Sequence, residues 1–465
     1  MVRAQSKSSG GNVKRTVNRV MVSPTVGTFY QHDYEVLENV ALNFFDPQKN
    51  SNKFYIAELH VSKAGLGYSF YASHGRVGSK GKELAQSFAT LQEAEKAYNT
   101  KVKSKLRGGY TKTDLATIAQ GSSNAKDKIN VDALQGVVDV SQIKATSSLD
   151  SAVESFIKHI YAEADQAISV ALTGSTKTDI RAPLGHLGVA GITKGREILY
   201  HINKLLLLGD KFGAEKCSIE YYRVIPRKLP SNVKVDRSWV LDDQRKVAKE
   251  LDILSLYEDM LKVLPISGVS NIDQKYYALN TDIRLVQDKE TMGYLVDKVT
   301  STHASNHNFR LKVVRAFEVN LKNAPQFNDS VGNVVRLFHG SRSANMVGIL
   351  SSHLKMPNDL GGSVVKTGAM FGPGLYFASN STKSANYAFG SFGGRANKFK
   401  TAFLMIVEVA MGNVHKVTSP HNFLRPPNGY HSVMGCKGLN LLNNEFIVYN
   451  PNQARIRYIV EVEKY

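Results

Sequence analysis

The sequence predicts a multidomain α+β protein, and three successive patterns along the chain indicate this class. From Thr28 to Tyr110, short runs of β-branched and aromatic residues alternate with turn residues, which favours a β-rich domain. From Leu149 the apolar residues recur with the helical period, and after Ile272 strands and short helices are mixed. A chain of 465 residues has room for two to four domains, each with its own hydrophobic core.

The composition limits the classes of partner. Lysine and arginine outnumber aspartate and glutamate, giving a net charge of +19, which favours a polyanionic partner, nucleic acid before an anionic membrane. Two cysteines, Cys217 and Cys436, allow no disulfide framework and no Cys-x-x-Cys zinc site, so we expect a reducing compartment and no metal. The longest apolar run, Ala402 to Met411, is short and contains Glu408, which indicates a core strand and predicts no membrane partner.

Two segments have the composition of unfolded chain. Residues 1–27 contain five basic residues, no acidic residue and several serines and glycines, which predicts a disordered basic arm that either contacts DNA or is simply solvated. Residues 111–147 include Gly121-Ser122-Ser123-Asn124 and are predicted to be a linker.

The segment 28–110 carries the first candidate site. Strands are predicted at Phe54–Val61 and Tyr68–Ser73, and a helix at Leu91–Lys103. Directly after the second strand comes the sequence His74-Gly75-Arg76-Val77-Gly78. The guanidinium of Arg76 can bind a phosphate in bidentate fashion; the alternative is an ordinary surface ion pair.

The segment 148–270 is predicted to be entirely helical. An apolar face repeats at helical spacing from Val153 to Tyr161, and further helices are expected at Ile192–Leu208 and Leu241–Val263. Its leucines and aromatic residues are expected to form a core, and we expect no site residue there.

The segment 271–465 carries the second candidate site. The apolar run Val334–Phe338 predicts a strand that presents His339 at its end, and Leu375–Ala378 predicts a second strand that carries Tyr376. Ser381 is a suitable N-cap for a short helix whose following residues place Ser384 and Tyr387 on one face. The carboxylate of Glu445 precedes an apolar strand, where burial without a function would be costly.

In this last segment the chain resembles the poly(ADP-ribose) polymerase family, because four of the family's motifs occur in the family's order. They are His339-Gly340-Ser341, Gly372-Pro373-Gly374-Leu375-Tyr376-Phe377-Ala378, Ser381-Thr382-Lys383-Ser384-Ala385-Asn386-Tyr387 and Asn444-Glu445-Phe446-Ile447-Val448-Tyr449. The segment 28–110 is similar to the family's WGR domain, whose signature is Trp-Gly-Arg-Val-Gly, with His74 in place of the tryptophan. Pro183–Leu187 resembles a motif of its helical regulatory domain, and Tyr221–Pro226 resembles an aromatic turn of that domain.

The resemblance implies a β-rich WGR-like domain at 28–110, an all-α regulatory domain at 148–270 and a mixed α/β ADP-ribosyltransferase domain at 271–465. The implied reaction cleaves the bond between nicotinamide and ribose in NAD, which is a substrate, and transfers ADP-ribose to an acceptor. Its transition state resembles an oxocarbenium ion, which a nearby carboxylate stabilises. The implied catalytic residues are Glu445, His339 and Tyr376, and the implied NAD-binding residues are His339, Gly340, Ser341, Tyr376, Lys383, Ser384 and Tyr387.

The resemblance also implies partners and regulation. DNA, at breaks, is expected to bind through His74, Gly75 and Arg76, and the acceptors are expected to be proteins, this chain included. The expected location is the nucleus in a eukaryote, and otherwise the cytoplasm in association with DNA. The helical segment is expected to restrain the transferase until DNA binds. Two alternatives stay open: a mono-ADP-ribosyltransferase with the same site, and a scaffold that binds DNA ends and carries a vestigial transferase.

Overall fold

The computed structural model describes residues 16–22, 29–62, 67–79, 81–113, 147–173, 188–261, 271–356, 370–390 and 400–465. Most of the expected basic arm and linker, and the Pro183–Leu187 motif, lie outside these ranges. The described residues form a β-rich part, a helical part and a C-terminal part with two sheets.

The β-rich part is an antiparallel sheet whose first five strands lie in sequence order, with a sixth strand also paired to the second. The strands are β1 (Thr16–Val22), β2 (Phe29–Asp46), β3 (Ser51–Ser62), β4 (Tyr68–Arg76), β5 (Lys82–Phe88) and β6 (Thr111–Thr113). Helix α1 (Leu91–Arg107) begins after Thr90, whose hydroxyl accepts the Glu93 N–H and donates to the Glu93 carboxylate. It buries Ala94, Tyr98 and Val102, one stripe at four-residue spacing, against this sheet.

Two sequence expectations differ from the structure at the edges of this sheet. Thr16–Val22, inside the expected disordered arm, is a strand in which all seven residues pair with β2, and Thr111–Thr113 of the expected linker also pairs with β2. Pairing satisfies the main-chain N–H and C=O groups of both segments, which their polar composition does not reveal.

In the helical part, the described residues form the helices α2 (Ser151–Thr173), α3 (Val189–Leu207), α4 (Lys211–Val224) and α5 (Gln244–Met260). The helices predicted at 192–208 and 241–263 are present with shifted ends. The expected aromatic turn is wrong, because Tyr221 and Tyr222 lie in the last turn of α4, which ends just before Pro226. The Tyr221 hydroxyl donates to Glu250, and buried Arg227 pairs with the same carboxylate, so α4 is tied to α5.

The C-terminal part holds two sheets and four short helices. The helices are α6 (Asn271–Ala278), α7 (Lys289–Thr300), α8 (Met346–Ser352) and α9 (Ser381–Ala388). The strands are β7 (Thr281–Leu285), β8 (Leu311–Leu321), β9 (Val334–Gly340), β10 (Leu375–Phe377), β11 (Thr401–Ala410), β12 (Val414–Val417), β13 (Ser432–Gly435), β14 (Glu445–Val448) and β15 (Ala454–Lys464). One sheet has the order β7-β8-β15-β11-β9 and the other the order β10-β14-β13-β12.

The helical part and the C-terminal part share one hydrophobic core. Phe156 of α2 stacks on Phe317 of β8 at 4.9 Å between ring centroids and meets Phe403 of β11 edge-on at 4.8 Å. The apolar face predicted for α2 therefore packs against the five-stranded sheet that contains β8 and β11, as well as against the other helices of the helical part. Among the helices of the described residues, none has the length and apolar character needed to cross a bilayer.

Candidate active site

The site lies where the two C-terminal sheets meet. The backbone of Phe338, near the end of β9, exchanges two hydrogen bonds of 2.8 and 2.9 Å with Ala378, directly after β10. Strand β14, which starts at Glu445, pairs with β10. A cavity of about 300 Å³ opens at this junction, and every NAD-binding residue implied by the sequence lines it, together with Glu445.

Helix α9 lies so close to β9 that only glycine fits at position 340. A Cβ atom on Gly340 would lie 1.8 Å from the carbonyl oxygen of Ser384. The Ser384 hydroxyl donates to the Phe338 carbonyl at 3.2 Å, which fixes this helix on the strand. The predicted N-cap is wrong by one residue: Asn380 occupies the N-cap position of α9, without a side-chain capping bond, and the Ser381 hydroxyl donates to the Val299 carbonyl at 2.7 Å.

Glu445 and Lys383 form a largely buried ion pair at the edge of the cavity. Lys383 Nζ lies 2.5 Å from Glu445 Oε1 and also donates to the Asn444 carbonyl at 3.1 Å. Burial raises the pKa of Glu445 while the ammonium of Lys383 opposes the rise. Burial lowers the pKa of Lys383, and Glu445 opposes that change. The pair therefore holds a carboxylate in one position facing the cavity.

The imidazole of His339 is held in one tautomer. Its Nδ1 lies 2.8 Å from the Tyr376 carbonyl oxygen, and because a carbonyl only accepts, Nδ1 carries the hydrogen. Burial lowers the pKa of His339, so the ring is neutral near pH 7 and Nε2 is left as an acceptor.

The two site tyrosines contribute ring surface. The Tyr376 hydroxyl donates to the Gly372 carbonyl at 2.7 Å and accepts the Phe371 N–H at 2.9 Å, so it is bonded to the turn before β10. Tyr387 is 38% exposed, which leaves part of its ring open to a ligand. Burial, with Glu445 adding to it, raises the pKa of both phenols, so both are neutral at pH 7. Ser341 lines the cavity beside them, and its hydroxyl accepts from Asn345 at 3.0 Å.

One face of the cavity comes from the helical part, where no site residue was expected. Helix α5 contributes Asp252, Ser255, Leu256 and Asp259, which are spaced i, i+3, i+4, i+7 and so share one face. The spacing of these four residues can be read from the sequence. Three of them are polar, so apolar periodicity does not identify this face.

Asp259 links the helical part to the catalytic side of the cavity wall. A Cβ atom on Gly348 of α8 would lie 2.0 Å from Asp259 Oδ2, so the carboxylate is packed against the α8 backbone. The ammonium of Lys355, another cavity residue, lies 4.0 Å from Asp259 Oδ1. The helical part thus places a negative charge next to a cation of the cavity.

The remaining candidates, His74, Gly75 and Arg76, lie at the end of β4 and do not line the cavity. Arg76 donates to the carbonyls of Pro230 and Ser231 in the helical part at 2.7 and 3.0 Å, and to the Asn50 carbonyl at 3.2 Å. Its partners in the structure are therefore backbone carbonyls rather than the acidic side chain of a surface ion pair. Arg76 joins the β-rich part to the helical part.

His74 lies in a basic and aromatic environment. Its ring centroid is 5.7 Å from that of Tyr55, and Lys105 Nζ lies 4.6 Å above the Tyr55 ring. Burial lowers the pKa of His74, and Lys105 and Lys82 lower it further, so the ring is neutral at pH 7. A neutral ring next to two cations is suited to stacking on a base close to a phosphate.

Three family profiles match the chain. They are the poly(ADP-ribose) polymerase catalytic domain at residues 289–440, the poly(ADP-ribose) polymerase regulatory domain at 147–298 and the WGR domain at 38–117. The chain belongs to the poly(ADP-ribose) polymerase family. Its catalytic domain is that of an NAD⁺ ADP-ribosyltransferase, and the WGR, helical and α/β domains follow one another as the resemblance implied.

Several relatives align with most of this chain. Human Poly [ADP-ribose] polymerase 2 is 28% identical over 91% of this chain and 79% of its own length. Poly [ADP-ribose] polymerase 2 of Arabidopsis thaliana is 26% identical over 91% of this chain and 72% of its own length. Human Protein mono-ADP-ribosyltransferase PARP3 is 24% identical over 95% of this chain and 90% of its own length.

Proposed function

We propose that this polymerase-family chain transfers ADP-ribose from NAD⁺ to proteins, itself included, and extends the product into a polymer when it binds broken DNA. The observation that carries the proposal is the buried Lys383–Glu445 pair at the edge of a cavity that His339 and Tyr387 also line. A carboxylate fixed in a buried site stabilises a developing positive charge more strongly than it would in water. Glu445 is therefore suited to the oxocarbenium-like transition state of ADP-ribose transfer.

In the proposed complex NAD⁺ is held mainly by position and stacking. Tyr387 stacks on the nicotinamide, with Tyr376 on the other side, and His339 accepts a hydrogen bond from the adenosine ribose through Nε2. The other proposed contacts are Gly340 and Ser384 with the carboxamide, and Ser341 and Lys383 with the sugars. A carboxylate meets the positive charge of the transition state, so no metal is assigned a role.

The test is automodification of the full chain with labelled NAD⁺, with and without a DNA duplex that has a broken end. Glu445→Gln keeps the shape of the side chain and removes its charge, so we expect no long polymer while NAD⁺ still binds. Glu290→Gln, an exposed carboxylate in the first turn of α7, is the matched control and should behave as the unchanged protein. Long polymer from Glu445→Gln would refute the role of Glu445.

DNA is the proposed activating partner. The WGR match, the net charge of +19 and the environment of His74, Gly75 and Arg76 support binding to nucleic acid. Because such binding neutralises phosphates, DNA affinity should fall as salt rises. A DNA-dependent enzyme of this kind belongs in the nucleus of a eukaryote, or with the chromosome in the cytoplasm of a cell without a nucleus.

The helical domain is the proposed restraint on activity. Helix α5 forms one wall of the cavity, and Asp259 lies beside Lys355. At this position some members of the family have an arginine near the NAD⁺ pyrophosphate, and Lys355 is proposed to take its place. The pyrophosphate of NAD⁺ and, in the closed arrangement of α5, the carboxylate of Asp259 would then compete for the ammonium group of Lys355. DNA binding, passed on through Arg76, would favour an open arrangement, which is a shift between two populated states.

The second candidate is transfer of single ADP-ribose units, which the relative named as a mono-ADP-ribosyltransferase supports. The same assay separates the two activities, because a polymer gives a ladder on a gel and single units do not. A chain with no incorporation of label under any condition would instead be a scaffold that binds DNA ends.

A further inference from the structure

A second histidine in the cavity wall, His353, has no role in the proposed function. It directly follows α8, and the residue is 2% exposed. The backbone carbonyls of Leu354 and Ala454 lie close to the ring, but neither ring nitrogen makes a hydrogen bond of ordinary geometry within the part of the chain that the structure describes. Buried polar groups are nearly always hydrogen-bonded, so an imidazole in a cavity wall without a well-formed hydrogen bond is suited to bind a ligand.

The backbone of His353 is in a conformation that favours glycine. Its φ is 76° and its ψ is 176°, a region that residues with a side chain rarely adopt. The position tolerates this strain because the His353 N–H is bonded to the Ile349 carbonyl at 2.7 Å, which closes the helix. A glycine would adopt this conformation at the end of α8 without strain. The imidazole is therefore present at this position despite the conformational preference of the backbone.

His353 belongs to the part of the cavity where the ADP half of NAD⁺ is expected. It lies near enough to His339 to contribute to lowering the pKa of that ring. The two residues that follow it, Leu354 and Lys355, also line the cavity. In the proposed function His339 binds the adenosine ribose and Lys355 lies near the pyrophosphate, and His353 lines the same cavity as both residues.

We propose that His353 is a positioning residue whose ring N–H donates a hydrogen bond to an oxygen of the ribose–pyrophosphate segment of NAD⁺. The proposal rests on the proposed function, because it takes the placement of NAD⁺ from it. Burial lowers the pKa of His353, and the backbone carbonyls of Leu354 and Ala454 oppose this change, so the ring is neutral and has one donor and one acceptor nitrogen. Binding of NAD⁺ would give the donor an acceptor in good geometry.

The test compares His353→Gly and His353→Asn with the unchanged full chain, in the presence of a DNA duplex with a broken end. Glycine removes the ring and accepts the backbone conformation, while asparagine keeps a donor and tolerates positive φ better than most residues. Three quantities are measured: the KM for NAD⁺, the affinity for ADP-ribose by calorimetric titration, and inhibition by nicotinamide.

We expect His353→Gly to raise the KM for NAD⁺ and to weaken ADP-ribose binding, each by about tenfold, as for one lost hydrogen bond to a charged or strongly polar group. Inhibition by nicotinamide should change less than twofold, because nicotinamide lacks the ADP half. His353→Asn should recover part of the loss, which a purely structural role of the ring would not produce.

Unchanged ADP-ribose affinity in His353→Gly, together with a higher Tm from the relieved strain, would overturn the proposal. Equal weakening of ADP-ribose and nicotinamide would also overturn it, because the whole cavity would then have changed. Titration with ADP-ribose requires no turnover. It therefore tests His353 even if the unchanged chain forms no product from NAD⁺, a result that would count against the proposed function instead.

Discussion

Replacing Asp259 by asparagine should raise NAD⁺ turnover in the absence of DNA. The Asp259 carboxylate, on a residue 7% exposed, lies against the backbone of Gly348 and 4.0 Å from the ammonium of Lys355. Asparagine has nearly the same size and shape, so the packing on α8 stays and only the charge is removed. The substitution therefore isolates the electrostatic part of the contact that holds α5 against the cavity.

The size of the effect follows from the distance and the burial. Two unit charges 4.0 Å apart attract each other by about 4 kcal/mol at an effective dielectric constant of about 20. Desolvation of the buried carboxylate offsets most of this attraction, and the Lys355 side chain is 31% exposed and partly screened. The Asp259–Lys355 pair then stabilises the closed arrangement of α5 by about 1 kcal/mol. Its loss corresponds to a change of about fivefold in the ratio of closed to open molecules.

The assay is the initial rate of label incorporation from NAD⁺, measured without DNA and at saturating broken duplex. We expect the rate without DNA to rise about fivefold and the rate with DNA to stay the same, because DNA already favours the open state. Asp242→Asn is the matched control, since this aspartate pairs with Lys246 on the exposed side of the helical domain. An unchanged rate without DNA, or equal changes in both rates, would refute the assigned role of Asp259.

Three further predictions test other parts of the site. Activity should fall as the pH is lowered, with a midpoint above 4.5, because Glu445 acts as a carboxylate in its proposed role and burial raises its pKa. A midpoint below 4.5 in the pH–rate profile would contradict this role. Gly340→Ala should lower the Tm, because the added Cβ would lie 1.8 Å from the Ser384 carbonyl oxygen, whereas Gly293→Ala, which meets nothing within 4 Å, should not. Arg76→Ala should reduce stimulation by DNA more than the rate without DNA, since it removes hydrogen bonds to the helical domain; an equal loss in both rates would indicate a folding defect instead.

The elements around the site could be predicted from the sequence because each has a local signal. The β-branched run at 334–338 forms most of a strand that includes His339 and ends at Gly340, and the short helix at 381–388 follows the polar residue Asn380. Two helices of the regulatory domain, α3 and α5, were placed within a few residues by their apolar period, whereas α4 was not predicted.

The contacts between domains could not be predicted, because they use backbone groups and long-range packing. Arg76 donates to the backbone carbonyl oxygens of Pro230 and Ser231. Every residue has such a carbonyl, so the residue types do not indicate which carbonyls Arg76 binds. The closeness of Gly348 to Asp259 depends on how two helices approach each other across about ninety residues of chain. The position of His353 is similar, since its positive φ is set by the end of α8 and not by the residue itself.

The balance of apolar and polar contacts indicates where the helical domain can open. Phe156 of α2 is fully buried between Phe317 and Phe403 of the catalytic sheet, and exposing side chains of this kind would cost about 1.5–3 kcal/mol each. Helix α5 also contributes apolar residues to the shared core, but its cavity-facing side is mostly polar, and there the contact of Asp259 with Lys355 is one that we place at about 1 kcal/mol. Local opening follows the weakest contacts. We therefore infer that α2 stays on the sheet while the cavity-facing side of α5 moves, so that access to NAD⁺ is controlled without separating the two domains.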